Sequence, residues 1–268
     1  MNAETLLMFT IGCDRAYLYA HSERELTADE TTRYGATVSE RIRGVPAQYI
    51  TGHQEFWGMD LIVTLAVLIP RPETEHVIET VLELADALRN RGPTGPRQNQ
   101  RIVDVGTGSG CIALALAHEL PEAEIHAVDI SSAALEIANL NAARHQLETR
   151  IQFREADLLT GVEDNSFDLI VSNPPYVGES EEDEVQLEVR KFEPRNAVFA
   201  GPTGLEIIAR LIPQAREALR PSGWLVLEIS GTIVEGVKQL LNGWAEIRIV
   251  NDLQGIPRVV AARKESQI

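Results

Sequence analysis

Ile102-Val103-Asp104-Val105-Gly106-Thr107-Gly108-Ser109-Gly110 is an apolar run that breaks into three glycines at alternate positions. A short apolar run bounded by turn residues reads as a buried strand. Glycine accepts the backbone angles of a tight turn and lets a ligand approach the main chain. An apolar stretch from Cys111 continues at helical spacing, so the unit is strand, glycine turn, helix. A dinucleotide fingerprint would read Gly-x-Gly-x-x-Gly. Here the pattern is Gly-x-Gly-x-Gly with an acid, Asp104, ahead of it. That carboxylate is awkward beside a pyrophosphate and suits a cationic ligand end such as an amino group. Asp104, Gly106, Thr107, Gly108, Ser109 and Gly110 are the first candidate cofactor-binding residues. The plainer alternative is an ordinary strand-to-helix turn, and the order of the following elements counts against it.

Downstream, strands are expected at 101–106, 124–129, 150–154, 167–172 and 223–229, and helices at 110–119, 131–145, 203–219 and 231–241. This alternation predicts βαβ units and a parallel sheet. Two further strand-like runs, 244–250 and 257–262, are separated by a link too short for a helical crossover and should pair antiparallel. Ligands of open α/β sheets bind beyond the carboxyl ends of the strands. Asp129 closes the second strand, where a carboxylate can accept from adjacent ribose hydroxyls. It can also cap the helix that starts at Ser131-Ser132, and the two roles are compatible. Asp157 and Leu158 end the third strand. They suit an adenine amino group and ring face, with a solvated loop as the alternative.

The fourth strand runs into Asn173-Pro174-Pro175-Tyr176. Neither proline has an N–H to continue a ladder, so the chain leaves the sheet at Asn173. The Asn side-chain oxygen and the Pro174 carbonyl are two acceptors that suit a planar –NH2 group, and Tyr176 offers a ring for it to lie against. Asn-Pro and Pro-Pro are also turn formers in their own right.

Upstream, residues 1 to about 45 read as helices, with Leu6, Leu7, Phe9 and Ile11 as an apolar face. A second helix is expected after Thr27, with Asp29 and Glu30 in its first turn. Ile50 to Val63 reads as a β-hairpin turning at Gly58. Pro72 suits the first position of another helix, and residues 90–100 read as a polar surface loop. The resulting division is a helical region at 1–48, a hairpin linker at 49–66 and the α/β domain at 67–268. Every cofactor motif lies after residue 100, which points residues 1 to about 67 away from the cofactor and toward recognition of the other substrate.

The 268 residues suffice for one large domain, or a core domain with a smaller one attached. A formal net charge of −16 and no Lys/Arg cluster count against unaided binding of a phosphate backbone. Two cysteines, Cys13 and Cys111, form no disulfide framework, and reduced thiols fit a cytoplasmic protein. Cys111, opening the helix after the glycine turn, reads as a small buried residue before it reads as a reactive thiol. The six histidines lack the spacing of a zinc site, so no metal is expected. No signal peptide is expected, and no apolar run approaches the roughly 20 residues that span a bilayer.

The set Asp104 to Gly110, Asp129, Asp157 and Asn173 to Tyr176 resembles the class I S-adenosylmethionine-dependent methyltransferases. Asn-Pro-Pro-Tyr after the fourth strand resembles the branch that methylates planar nitrogens. Pro70 to Glu75, Tyr49 to Val63, Phe192 to Ala197, Gly204-Leu205 and Asp252 to Arg258 narrow the likeness to the HemK family of release-factor glutamine methyltransferases. One departure is Glu228-Ile229-Ser230-Gly231, which lacks the Gln that often follows. Another is the acidic run at 179–184.

The resemblance implies a Rossmann-like, mostly parallel seven-stranded sheet with an antiparallel last strand. It implies S-adenosyl-L-methionine as cofactor and S-adenosyl-L-homocysteine as product. The implied substrate is the glutamine of the Gly-Gly-Gln loop of class I peptide chain release factors, methylated at its side-chain nitrogen (N5). Asn173, Pro174, Pro175 and Tyr176 are the implied catalytic slot, with no direct nucleic-acid or membrane partner. The alternative is an N6-adenine or other nucleic-acid amino methyltransferase, against which the charge counts.

Overall fold

The structure, a computed structural model, describes residues 2–89, 99–163 and 165–266. The surface loop expected at 90–100 therefore lies outside the described residues except for 99 and 100. At the N-terminus stand four helices, α1 (Asn2–Ile11), α2 (Arg15–Ala20), α3 (Ala28–Ile42) and α4 (Ala47–Thr51). α3 begins in a reciprocal cap, Glu30 N donating to Thr27 Oγ1 at 3.2 Å and Thr27 N to Glu30 Oε2 at 2.9 Å. Each bond satisfies a backbone donor that the first helical turn leaves open. Leu6 is buried, but Phe9, expected on the same apolar face, is exposed. Tyr49, Ile50 and Thr51, read from sequence as the start of the hairpin, instead form the end of α4, which stops at Gly52 in the left-handed region (φ 77°).

The hairpin pairs β1 (His53–Phe56) with β2 (Met59–Ile62). Its two-residue turn has positive φ at both Trp57 (52°) and Gly58 (69°), the turn whose twist matches paired strands. Phe56, Met59 and Leu61 are buried in the core of the main sheet, and Trp57 Nε1 donates to Glu119 Oε1 at 2.9 Å. The hairpin is thus packed into the α/β body. Pro72 starts a 3₁₀ turn at Pro72–Thr74, and α5 (Glu75–Arg89) follows it.

Apart from a 3₁₀ stretch at Glu179–Glu184, the remaining elements are strands and α-helices that alternate over 101–155 and again over 199–251. They are β3 (Arg101–Val105), α6 (Cys111–Glu119), β4 (Glu124–Asp129), α7 (Ser132–Arg144), β5 (Ile151–Glu155), β6 (Phe167–Ser172), β7 (Val177–Gly178), α8 (Leu187–Phe192), α9 (Arg195–Val198), β8 (Phe199–Gly201), α10 (Glu206–Ala218), β9 (Leu219–Glu228), α11 (Val234–Leu240), β10 (Glu246–Asn251) and β11 (Pro257–Arg263). The main sheet has the order β10-β11-β9-β6-β3-β4-β5. β11 runs antiparallel to both neighbours and the other pairings are parallel. β7 and β8, in a stretch where the sequence pattern indicated no strands, form a small parallel pair of their own.

Successive residues along a strand face opposite sides, and both sides are covered. Ile102, Leu169 and Trp224 pack with Val77, Ile78, Val81 and Leu84 of α5. Val103, Ile170 and Leu225 pack with Ile208, Leu211 and Ala215 of α10. A sheet covered on both faces explains why its strands read as continuous apolar runs without alternation. The strand order reverses beside β3: the chain moves outward through β4 to β5, then returns to place β6 on the other flank. Such a reversal opens a crevice at the carboxyl edge.

Candidate active site

Pairing register lines up the candidate residues. Val105 pairs with Val128 and with Ser172, and Ser172 pairs with Leu227. The residues one step further on, Asp129, Gly106, Asn173 and Glu228, therefore form a row along the carboxyl edge. Ser172 Oγ donates to Val105 O at 2.6 Å, tying the two central strands at the point where both loops leave.

Gly106, Gly108 and Gly110 all have positive φ (75°, 56° and 84°), as a loop folded back on the strand tips requires. A Cβ on Gly110 would also sit 3.1 Å from Leu114 Cδ1 and 3.2 Å from Ala138 Cβ, where α6 meets α7. Asp129 braces this loop: Oδ2 accepts from Gly108 N at 2.8 Å and Oδ1 from Ser131 N at 2.9 Å. Asn141, fully buried on α7, ties the loop to the hairpin. Its Nδ2 donates to Ser109 O at 2.9 Å and Ile62 O at 3.0 Å, while Oδ1 accepts from Ile62 N at 2.7 Å.

A cleft of about 420 Å³ opens over this edge, lined by Gly106, Thr107, Gly108, Ser109, Asp129, Asp157, Leu158 and Asn173 among others. Asp104 is not on its wall. It lies 1% exposed beneath the loop, with Oδ2 accepting from Thr107 Oγ1 at 2.6 Å and Ala113 N at 3.2 Å. Its Oδ1 is buried without a hydrogen-bond partner, an acceptor suited to a donor reaching through the loop. Burial raises the Asp104 pKa to about 7, against the pull of the Thr107 and Ala113 hydrogen bonds. A carboxyl raised in the folded state stabilises the fold while protonated there, and that contribution is lost as pH rises from its unfolded value near 4 toward 7. The ligand-free protein should therefore melt at a lower temperature at pH 8 than at pH 5. Asp104→Asn should remove that part of the difference, which thermal melts at the two pH values measure.

Asp157 is paired with Arg210, Nη2 lying 2.6 Å from Oδ2, and both side chains line the cleft. Leu158 beside it has φ 54°, unusual for a non-glycine residue. Cys111 lines the wall too, but burial pushes its thiol up to about 12, the opposite of an activated cysteine. Leu65, Ala66, Val67 and Leu68 also line the cleft. The cleft wall thus takes in residues 65 and 66, which lie before the boundary near 67 drawn from sequence.

A second, smaller cavity of about 130 Å³ adjoins the cleft. Pro174 and Tyr176 line it together with Arg71, Val185 and Val189, whereas Asn173 and Pro175 line both spaces. Asn173 Nδ2 donates to Thr74 Oγ1 at 3.2 Å, Thr74 Oγ1 donates to Glu228 Oε2 at 2.6 Å, and Tyr176 Oη donates to Glu228 Oε1 at 3.1 Å. Glu228 is 2% exposed; burial raises its pKa, and the two hydroxyl donors oppose that shift. Burial also raises the Tyr176 phenol, keeping it a donor. Arg71 Nη2 lies 2.5 Å from Glu193 Oε1, and Ile69 N donates to Glu193 Oε2 at 3.2 Å, so the Pro70 segment is clamped to the loop before α9. Gly204 is fixed by contact: φ is 81°, and a Cβ there would run into Tyr176 O.

The acids at 179–184 stay at the surface, two of them in ion pairs. Glu182 accepts from Arg195 Nη1 and Nη2, each at 2.8 Å, and Asp183 from Arg190 Nη1 at 2.9 Å. Thr74, Arg71, Asn141, Glu193, Arg210 and Glu228 were not among the site residues read from sequence. Glu228 carried a signal, an acid closing the apolar run Trp224-Leu225-Val226-Leu227, as Asp129 closes its own strand.

Strand order, glycine turn and edge acids define a Rossmann-like class I methyltransferase. The methyltransferase small domain family model matches residues 84–191, and the PrmC N-terminal domain model matches residues 1–52. The chain is 54% identical over 266 residues to a release factor glutamine methyltransferase of Koribacter versatilis (strain Ellin345), covering 98% of this chain and 91% of that one. It is 41% identical over 263 residues to a protein of the same name from Chlorobaculum tepidum, covering 96% and 88%. Among solved structures, a methyltransferase from Pyrococcus furiosus aligns with TM-score 0.56 at 18% identity, over 86% of this chain and 99% of that one. Ribosomal protein L11 methylase from Lactobacillus delbrueckii subsp. bulgaricus aligns with TM-score 0.51 at 22% identity, over 76% and 84%. These structural likenesses speak to the fold alone. The sequence likeness speaks to the family: the chain belongs to the release factor glutamine methyltransferases.

Proposed function

We propose that this chain methylates the side-chain amide nitrogen of the glutamine in the Gly-Gly-Gln loop of class I peptide chain release factors, with S-adenosylmethionine as methyl donor. The observation that carries the reading is that Asn173 borders both the large cleft and the small cavity. A donor in one space and a planar amide in the other would meet there. The residues fit that donor: Asp129 for ribose hydroxyls, Asp157 and Leu158 for adenine, and the glycine loop with the unpartnered Asp104 Oδ1 beneath it for the charged amino-acid end. When bound, S-adenosylmethionine supplies an electrophilic methyl group on a sulfonium.

The chain's own residues supply orientation. An amide nitrogen is a poor nucleophile because its lone pair is delocalised, the resonance behind a rotation barrier of about 18–20 kcal/mol. Asn173 Oδ1 and the Pro174 carbonyl each accept one N–H of the target, aiming the nitrogen lone pair at the methyl carbon. Such orientation can supply roughly 7–11 kcal/mol. The same two acceptors face positive charge as it develops on nitrogen, the inverse of an oxyanion hole. No general base is required, since the nitrogen can lose its proton after transfer. Pro175 and Tyr176 give the slot its walls.

The test is a competition for labelled methyl among intact release factor, duplex DNA and structured RNA. Label in the release factor is expected, and label confined to nucleic acid would reverse the assignment.

The N-terminal helical region takes the protein substrate in this reading. No helix among the described residues is long and apolar enough to cross a membrane; a release-factor substrate supports a cytoplasmic site of action. Because Phe56, Met59 and Leu61 belong to the main core, a truncation must spare the hairpin. A chain beginning at Pro46 is expected to bind the donor as the full chain does, yet to lose most turnover on intact release factor. Calorimetry and methyl incorporation on the same sample measure both, and full turnover by the shortened chain would remove the helices from substrate recognition.

A further inference from the structure

We infer that Thr74 and Glu228 are positioning residues, a two-residue relay that sets which end of the Asn173 amide faces the substrate. The inference rests on the reading of Asn173 as the acceptor of the target amide. An Asn side chain has an acceptor end and a donor end of nearly equal size, so packing alone does not decide which way it points. Only the orientation with Oδ1 toward the slot can accept an N–H from the target; the opposite one would set two donors against each other.

The chain of hydrogen bonds settles the direction. A threonine hydroxyl has one proton. Thr74 gives it to Glu228 Oε2 at 2.6 Å. Toward Asn173 it can then only accept, so Nδ2 turns to Thr74, at 3.2 Å. Oδ1 is the atom left for the two spaces that Asn173 borders. In its carboxylate form, which the two hydroxyl donors favour, Glu228 only accepts and so holds that direction, its second oxygen taking the Tyr176 hydroxyl at 3.1 Å. Both ends of the Asn-Pro-Pro-Tyr turn are thereby oriented by one buried carboxylate. Its place follows from strand register, since Glu228 stands one step beyond the Ser172–Leu227 pair as Asn173 does. Thr74 reaches the pair from the 3₁₀ turn that Pro72 begins. A glutamine at 228 would break the direction, because its NH2 end can donate to Thr74 and free the hydroxyl proton to bond Asn173 Oδ1.

Thr74→Val keeps the shape and removes the hydroxyl, Thr74→Ser keeps the hydroxyl, and Glu228→Gln keeps size while adding a donor. Each is compared with wild type and Asn173→Ala in the full-length protein, by single-turnover methyl transfer to intact release factor, KM for that factor, and calorimetric affinity for S-adenosylmethionine. Thr74→Val and Glu228→Gln are expected to lose turnover about tenfold to a hundredfold, the scale of a misaligned reacting group. KM and donor affinity should stay near wild type, and Thr74→Ser should keep most of the turnover. Thr74→Val should add nothing further in an Asn173→Ala background, as two residues acting through one group do.

Equal losses for serine and valine, or additive losses in the double variant, would assign Thr74 to packing and overturn the relay. Wild-type turnover in Thr74→Val with Asn173→Ala inactive would overturn it as well while leaving the role of Asn173 intact. Wild-type turnover in Asn173→Ala would overturn the underlying reading together with the relay. If Glu228→Gln fails to fold, the serine and valine pair still decides.

Discussion

Asn173→Ala is expected to slow methyl transfer to an intact release factor by about 10²–10³-fold, the usual cost of removing one preorganised polar partner at a reacting centre. Donor affinity should fall far less, since the cleft wall also carries the glycine loop, Asp129, Asp157 and Leu158. Asn173→Asp separates two accounts of the acceptor. If charge on the developing cation dominated, the aspartate would outperform the alanine. If alignment dominates, both should be nearly inactive, because a displacement of about 1 Å can cost about 10²-fold. Alignment is favoured by the surroundings. The aspartate would lose the Nδ2 donor that meets Thr74 Oγ1 and would set an oxygen against a hydroxyl whose proton is committed to Glu228. Single-turnover rates of the two variants measure the difference.

Asp129→Ala is expected to weaken S-adenosylmethionine binding by about 1–3 kcal/mol, the scale of a lost charge-assisted hydrogen bond, which is roughly a 5- to 150-fold rise in Kd. The carboxylate also receives Gly108 N and Ser131 N, so part of the loss can come from a loosened loop. A donor analogue without ribose hydroxyls separates the two. If Asp129 holds the ribose, the variant and wild type should bind that analogue with similar affinity. A folded variant with unchanged calorimetric affinity for the full donor would take Asp129 out of the site.

The strands of the main sheet and the long helices that cover it were legible because a doubly covered sheet forces continuous apolar runs, and the glycine turn has few other uses at a strand end. Asp129 was legible because a charge closes an apolar run there, whereas Glu228, which closes β9 in the same way, was missed. Asp104 is the instructive case. Its position beside the glycines suggested a place on the ligand wall, but the loop folds over it and it braces Thr107 and Ala113 from below. Side-chain depth within a turn is a tertiary property that spacing does not report.

Thr74 escaped notice because it acts across 99 residues of sequence to reach Asn173, and a lone threonine after a proline reads as helix entry. The stretch from Val177 to Gly201 was illegible in a different way. β7 and β8 are two and three residues long and owe their pairing to tertiary contact. Phe9 illustrates the limit of apolar counting in a ten-residue helix, which turns only one narrow stripe toward its neighbours.

The most direct measurement locates the transferred methyl. The full chain is incubated with isotopically labelled S-adenosylmethionine and an intact class I release factor, and the modified peptide is fragmented in a mass spectrometer. The account predicts label on the side-chain nitrogen of the Gly-Gly-Gln glutamine, absent when that glutamine is replaced and reduced about 10²–10³-fold with the Asn173→Ala enzyme. Label on any other residue, or an undiminished yield from Asn173→Ala, would contradict it.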